Sequence, residues 1–369
     1  MRKPRIVVTS AAGHTGGPAV LELLKRGYPV RAFVYREDHR SEALKDAGAE
    51  IFVGDLNDMR DLRDAMKDVQ RAYHCPPFSF GLLHNAMLFA LAAEEARLEC
   101  VVLLSQWQPH EIHPSIVSRE HWIANNIYRW MPSVEVIHLN PGLFAFTYLL
   151  GLPAAFHFGM LLLPYGESRN APASNEDIGR CAAALLDDPS SHFGKDYRPT
   201  GPRVITPYDV ASDLSTILGR KVVYRNATSR MFMKAAIAQG FPLSEISQLR
   251  HYIADLNAGA YELGAPTNDV EFLTGRPPET FAETARRYVA DPRLIHPKLT
   301  VGSRQAAVLM LLRMLLVRPP DLDRWEELQA YPRIAKPEPA VQFPAWVASA
   351  VQGRLYLQQP IQTAEGHAN

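Results

Sequence analysis

Cysteine is scarce: the 369 residues hold three, Cys75, Cys100 and Cys181. They cannot all pair with one another and none stands in a CxxC spacing. That excludes a disulfide framework and a zinc knuckle, and predicts a reducing, cytoplasmic setting. Net charge is lacking too. Lys and Arg number 39 and so do Asp and Glu, a balance that argues against a dedicated nucleic-acid binder or a polybasic membrane anchor. The first residues reach only Ile6-Val7-Val8-Thr9 before turning small and polar, too short a run for a signal peptide. Residues 143–166 contain no Asp, Glu, Lys or Arg, but Gly151, Pro153, Gly159 and Pro164 break them up. A bilayer-spanning helix wants about 20 uninterrupted apolar residues, so no integral membrane segment is expected. No internal repeat is present.

What remains is a globular balance, 47% hydrophobic and 21% charged, sized for one large or two modest domains. Short β-branched runs over 5–9, 30–35, 50–53, 71–74, 100–104 and 134–139 alternate with helical patterns over 16–25, 41–47, 58–67, 82–97 and 119–130. Such alternation predicts βαβ crossovers and an α/β fold, a doubly wound parallel sheet covered on both faces. The second half is less regular, with helices expected over 175–186, 207–218, 229–239, 243–260 and 278–290 and a strand over 221–225. Residues 303–317 form an apolar helix with Arg304 and Arg313 as its charges, suited to the interior or to a homodimer contact. Six prolines and little periodicity mark 318–344, and the last nine residues read as disordered. The expected division is an α/β domain over 1–150 to which later segments return, a smaller, mostly helical cap domain over 151–300, and a helical and Pro-rich extension over 301–369.

Directly after the first strand comes Ser10-Ala11-Ala12-Gly13-His14-Thr15-Gly16-Gly17. Only small residues can stand where a backbone meets a pyrophosphate, and a helix starting here aims free N–H groups at the anion. Ser10, Gly13, His14, Thr15 and Gly16 are therefore the expected cradle of a dinucleotide. At the end of the second strand, where an acidic residue would accept from the ribose of NAD, stand Tyr35 and Arg36, with Arg40 following. A guanidinium can hold a 2′-phosphate, so NADP is expected ahead of NAD, against the opposing charges of Glu37 and Asp38. Asp55 closes the third strand, either to meet the adenine or to cap the next helix. Pro76 follows the fourth strand, where the chain passes the cofactor ribose.

These pieces resemble the NmrA-like family, an atypical branch of the short-chain dehydrogenase/reductases. The resemblance rests on VVTSAAGHTGGPAV, VRAFVYR, GAEIFVGDL, VVLLSQW and NPGLF, then ASNEDIGRCAAALLDDP, DYRPTGPRVITPYDVASDLSTILGRKVVY and EFLTGRPPETFAETARRY. It implies a Rossmann domain that binds NAD(P), capped by a small helical domain. It also implies one of two functions: reduction of quinones, dyes or similar small molecules, or NADP-responsive regulation without turnover.

The wider superfamily works with Ser and Y-x-x-x-K, the lysine lowering the tyrosine pKa for proton exchange. No tyrosine here has lysine four residues later; Tyr165 with Arg169 is the nearest imitation. Ser105 closes the fifth strand where the superfamily serine stands. Arg119 and His121 open the helix that takes the place of the missing lysine, and are the candidates for positive charge and proton transfer. His110, Glu111 and His113 have ligand-like types, but H-E-x-x-H is absent and no metal is expected. Pro141, Gly142 and Phe144 form the turn expected beneath the nicotinamide. Trp107, Phe146, Tyr148, Phe156 and Phe158 would make an aromatic wall for a flat or apolar substrate. The expected activity is hydride transfer from NADPH to a quinone, enone, imine or dye, with the non-catalytic sensor as the alternative.

Overall fold

The computed structural model describes residues 3–79, 81–291 and 302–358; the last nine residues, expected to be disordered, lie outside that range. Ile6, Val7 and Val8 are all buried, yet they serve different cores: Ile6 and Val8 pack on one side and Val7 on the other. A strand apolar on both faces belongs in a sheet covered on both sides. β1 (Ile6–Val8), β2 (Val30–Val34), β3 (Glu50–Val53), β4 (Arg71–His74), β5 (Cys100–Leu104) and β6 (Glu135–Leu139) form it, joined at the edge by the two-residue β8 (Asp196–Tyr197). All pairs are parallel and the order is β3-β2-β1-β4-β5-β6-β8. β7 (Met160–Leu163) and β9 (Val223–Asn226) make a separate parallel pair.

Helices α1 (Gly16–Lys25), α2 (His39–Asp46) and α8 (Asn175–Asp187) bury Leu23, Leu44, Ile178 and Leu185 on the face that Ile6 and Val8 share. α3 (Met59–Ala65), α4 (Leu82–Ala96) and α5 (Ile116–Arg129) bury Leu62, Phe89 and Tyr128 on the other. The first six strands fall within one residue of the sequence expectation, β9 starts two residues later than expected, and β7 and β8 had not been expected. α5 starts three residues earlier than its pattern suggested, because the Ser115 hydroxyl accepts from the Ser118 N–H at 3.3 Å and caps it. α1 and α8 cross so closely that a Cβ on Gly179 would lie 2.7 Å from the Ala19 nitrogen. Glycine in mid-helix costs about 1 kcal/mol against alanine, and here it permits that crossing.

A third core collects Tyr148 of α6 (Ala145–Leu149), Leu152 of α7 (Leu152–Phe158), Leu161, Val210 and Leu214 of α9 (Pro207–Leu218), Leu256 of α11 (Leu243–Asn257) and Phe281 of α13 (Phe281–Val289). Between these lie α10 (Ser229–Ala238) and α12 (Asp269–Thr274). The extension continues as α14 (Arg304–Leu316), α15 (Leu322–Leu328) and α16 (Pro344–Val351). It is packed, not appended. Trp346 of α16 is fully buried in the third core with Ala340 and Ala350. Returning toward the sheet, the Leu355 N–H donates to Asp196 at 2.8 Å and the Gln358 N–H donates to the Asn126 side chain at 2.8 Å. Among the described residues no helix is long and apolar enough to cross a membrane.

Trp346→Ala would leave a large cavity in that core. The expected loss is about 3–5 kcal/mol of unfolding free energy, read by urea denaturation; a loss below about 1 kcal/mol would show that α16 unfolds on its own.

Candidate functional site

A parallel sheet presents the C-terminal ends of its strands along one edge. The chain leaves β1 toward β2 and crosses back to β4, so a crevice opens above β1 and β4. The loop after β1 fills its floor. Ser10 adopts the left-handed region (φ 48°), and its hydroxyl donates to the Cys75 carbonyl at 2.8 Å. Its own carbonyl accepts from the Gly13 N–H at 2.8 Å. A Cβ on Gly13 would lie 2.9 Å from that carbonyl oxygen, and one on Gly16 2.5 Å from it. Both glycines are therefore required by the loop's own backbone. The Thr9 hydroxyl accepts from the Cys75 N–H at 2.9 Å and lies 3.0 Å from His74 Nδ1, which ties the ends of β1 and β4 together.

α1 starts at Gly16 behind Thr15, which offers no side-chain cap, and its first turn holds no acidic residue. Gly17 donates its N–H to the Gly13 carbonyl at 3.2 Å and Pro18 has none, so the Gly16 N–H and the positive end of the dipole are left for an anion. A cleft of about 790 Å³ lies beside the loop, lined by Gly13, His14, Gly17 and Arg40, and by Glu176 and Arg180 of α8. The donor set suits the pyrophosphate of a dinucleotide.

Of the two arginines, Arg36 is exposed after β2. Arg40, in the first turn of α2, donates to Asp38, whose carboxylate also caps that helix. The guanidinium holds the Asp38 carboxyl well below the usual carboxylate range. The opposing charge foreseen beside the arginines is thus engaged with Arg40. Asp55 does not cap α3; Asp58 does. Asp55 instead accepts from the backbone and side chain of Asn57, both at 2.9 Å.

The turn after β6 arrives over the same loop. Phe144 precedes α6 and bridges to Ala173, and Phe146 stacks on His14 with ring centroids 4.4 Å apart. Gly142 lies against the Trp107 ring. The expected aromatic wall is only partly at the crevice. Trp107 and Tyr148 are fully buried in the third core. Trp107 donates to the Ala260 carbonyl at 2.9 Å and lies under the Arg198 guanidinium, 3.4 Å from the ring centroid. Phe156 packs against that core as well. Those rings were drawn away because the third core needed their area. Phe144 and Phe146 remain beside the cradle.

The candidate catalytic side chains separate. Ser105 is buried at the end of β5, and Asn125 of α5 donates to its hydroxyl at 2.8 Å, leaving the Ser105 O–H free to donate onward. Arg119 does not face the crevice: its guanidinium donates to the carbonyls of His113, Pro114 and Pro332 and clamps the extension to the loop before α5. His121 is buried, and burial pushes its pKa down to about 3. A neutral imidazole at physiological pH holds no proton of imidazolium type to give, so the expected acid is corrected to a buried neutral group. Arg169 pairs with Glu262 at 2.8 Å, away from Tyr165, which lies in the third core.

His113 accepts from the Ser115 N–H at 2.9 Å through Nδ1 and meets Asp255 at 2.6 Å through Nε2. His110 stacks on Phe343 of the extension, centroids 4.8 Å apart. No cluster able to hold a metal occurs among the described residues. Sequence reasoning weighed His110 only as a metal ligand and passed over the polar residues around it. Gln108, His110 and Asn140 are buried just past β5 and β6 with Gln106 half-buried beside them, and the side-chain polar atoms of His110 and Asn140 have no hydrogen-bond partner. Buried polar atoms are nearly always paired, so His110 and Asn140 have bonds to offer a polar guest. The signal was available: polar residues at alternate positions 106, 108 and 110 directly after an apolar strand.

Fold and loop together define a doubly wound nucleotide-binding protein of the Rossmann type. The model of the NmrA-like family matches residues 2–123, the first third of the chain and the stretch that holds the loop after β1. An NAD(P)H azoreductase of Xenophilus azovorans is 26% identical over 292 residues, covering 77% of this chain and 98% of that protein. Quinone oxidoreductase 2 of Escherichia coli is 25% identical over 288 residues, covering 76% and 96%. The crystal structure of an Escherichia coli NADPH-dependent quinone oxidoreductase complexed with NADPH superposes with a TM-score of 0.66 at 23% identity, covering 77% of this chain and 99% of that one. About a quarter of this chain therefore has no counterpart in them.

His74 and His121 have pKa values lowered to about 3, and His138 to about 4, chiefly by burial. Each takes up a proton on unfolding once the pH is below the ordinary value of about 6.5, so stability is complete above it and falls as the pH drops toward the folded value. The expected slope is about 1.4 kcal/mol per pH unit for each, measured by urea unfolding at several pH values between neutral and mildly acidic. A flat profile there would show the three rings to be solvated.

Proposed function

We propose that this protein is an NADP-dependent reductase of flat, apolar acceptors of the quinone or azo-dye kind. The observation that carries the reading is the uncapped N-terminus of α1 above β1 and β4, with a loop that only glycine at 13 and 16 can form. The two curated relatives, each spanned almost completely, support the same activity class. When bound, a reduced nicotinamide supplies a hydride, and the protein's part is to hold the acceptor against it.

In this reading the backbone of Ser10, Gly13, His14, Thr15 and Gly16 takes the pyrophosphate, and Arg36 and Arg40 take the 2′-phosphate. Asp55 lies on the adenine side. Pro76, Pro141, Gly142 and Phe144 border the nicotinamide end. Ser105, held by Asn125, donates to an acceptor oxygen. With Y-x-x-x-K absent and His121 neutral, no side chain here delivers a proton as a strong acid. A quinone or an azo dye can take its protons from water, whereas a ketone asks the protein for one. That chemistry favours the first two. The missing dyad also favours the second reading, a sensor that binds NADP without turnover.

Steady-state oxidation of NADPH against a panel of quinones, azo dyes and ketones tests the reading. Turnover with quinones or dyes and not with ketones is expected, and firm NADPH binding without turnover on any acceptor supports the sensor instead. Gly13→Val should abolish NADPH binding with an unchanged circular dichroism spectrum; unaltered affinity removes the loop from the site. Arg36→Ala should lower the preference for NADPH over NADH about tenfold or more, the loss of a charge-assisted hydrogen bond. His121→Gln should leave the pH profile of quinone turnover unchanged near pH 6.5.

A further inference from the structure

We propose that α14 and the neighbouring α10 form a surface that lies on an anionic lipid bilayer. The argument starts from a helix with too much apolar surface. α14 reads RQAAVLMLLRMLL, and such a helix is expected to be covered on all sides. Among the described residues its packing partners lie on one side. α10 and α7 pack against it. Its start is fixed by the Ser303 cap and by His157, 2.7 Å from the Gly302 carbonyl. On the other side Val308, Leu309 and Leu312 are exposed, with Leu315 at 74% and Leu316 at 84%. The helix is therefore not the internal element its composition suggested.

Charge decides what covers it. Residues 219–242, which include α10, hold Arg220, Lys221, Arg225, Arg230 and Lys234 and no Asp or Glu. Residues 302–320 hold Arg304, Arg313 and Arg318 and again no Asp or Glu. All of these except the half-buried Lys234 are exposed. These two stretches, joined where α10 packs on α14, thus carry eight positive charges and no negative one, and the rest of the chain carries a net charge of −8. Leucines that want hydrocarbon, among arginines that want anions, match the boundary between acyl chains and anionic headgroups. At 13 residues the helix is about 20 Å long, too short to cross a hydrocarbon core of about 30 Å, so it would lie in the plane. A second copy fits less well, because a two-fold contact would set this basic face against itself.

Flotation with vesicles tests this, and it reads binding, so it stands whether or not the protein turns over NADPH. The protein is expected to float with vesicles of equal parts phosphatidylcholine and phosphatidylglycerol, not with phosphatidylcholine alone, and to be released by high salt. Leu315→Glu/Leu316→Glu and, separately, Arg304→Glu/Arg313→Glu should each cut the bound fraction about tenfold or more. Unchanged circular dichroism and thermal unfolding would show both variants folded. A wild type that fails to float on the mixed vesicles, or variants that float as well as it does, overturns the proposal. Dimerisation of the wild type in sedimentation, lost in the leucine variant and without vesicle binding, would give the face to a second copy instead.

Discussion

The Ser10 carbonyl is the tightest point of the molecule. It lies so near positions 13 and 16 that neither can carry a side chain, and that closeness brings the first turn of α1 down onto the sheet edge. The Ser10 hydroxyl and the Thr9 side chain meanwhile grip Cys75 at the end of β4. One short loop thus fixes the width of the crevice and the aim of the helix dipole. It also fixes the seat on which His14 meets Phe146 from the far side of the sheet. A left-handed serine costs energy, and two hydrogen bonds, one from its hydroxyl and one to its carbonyl, hold it there.

The loop after β1 and the region past β5 and β6 are built on different principles. The loop is local: eight consecutive residues, 10–17, form it. The region past β5 and β6 is assembled from two turns and from the extension, where His110 stacks on Phe343. The side-chain polar atoms of His110 and Asn140 are buried there without partners, an expense in a folded protein that is offset when a guest supplies the missing bonds. The acidic and basic groups that usually serve proton transfer are withdrawn: Arg119 clamps three carbonyls and His121 is buried neutral.

That difference explains what could be read from the chain beforehand. β2 reads VRAFV and is buried throughout, so both its position and its burial on two faces show in five letters. The cradle shows in the spacing of Ser10, Gly13 and Gly16 for the same reason: the constraint acts between near neighbours. Trp107 and Tyr148 read as pocket aromatics because a flat ring suits a pocket and a core equally. Which of the two it joins was decided by Arg198 and Trp346, some ninety and two hundred and forty residues further on. Arg119 and His121 fell at the right place on the right helix, but their direction depends on Pro332 and on the packing of α5. Asp55 failed as a cap because Asp58, three residues later, was better placed to take the N–H of Arg60.

The burial of Trp346 also sets an order of events. Tyr148, Leu161 and Val210 share a core with a residue made almost two hundred positions after the first of them. The parallel sheet as far as β6 can close while later residues are still being synthesised, since its strands and covering helices precede residue 140, apart from α8 and β8. The third core cannot. During synthesis its aromatic residues wait without their last partner until α16 has emerged from the ribosome. The cell must shield that half-built surface through the interval, and a ribosome stalled on the last third of the message would leave a product with a formed nucleotide cradle and an open, adhesive second half.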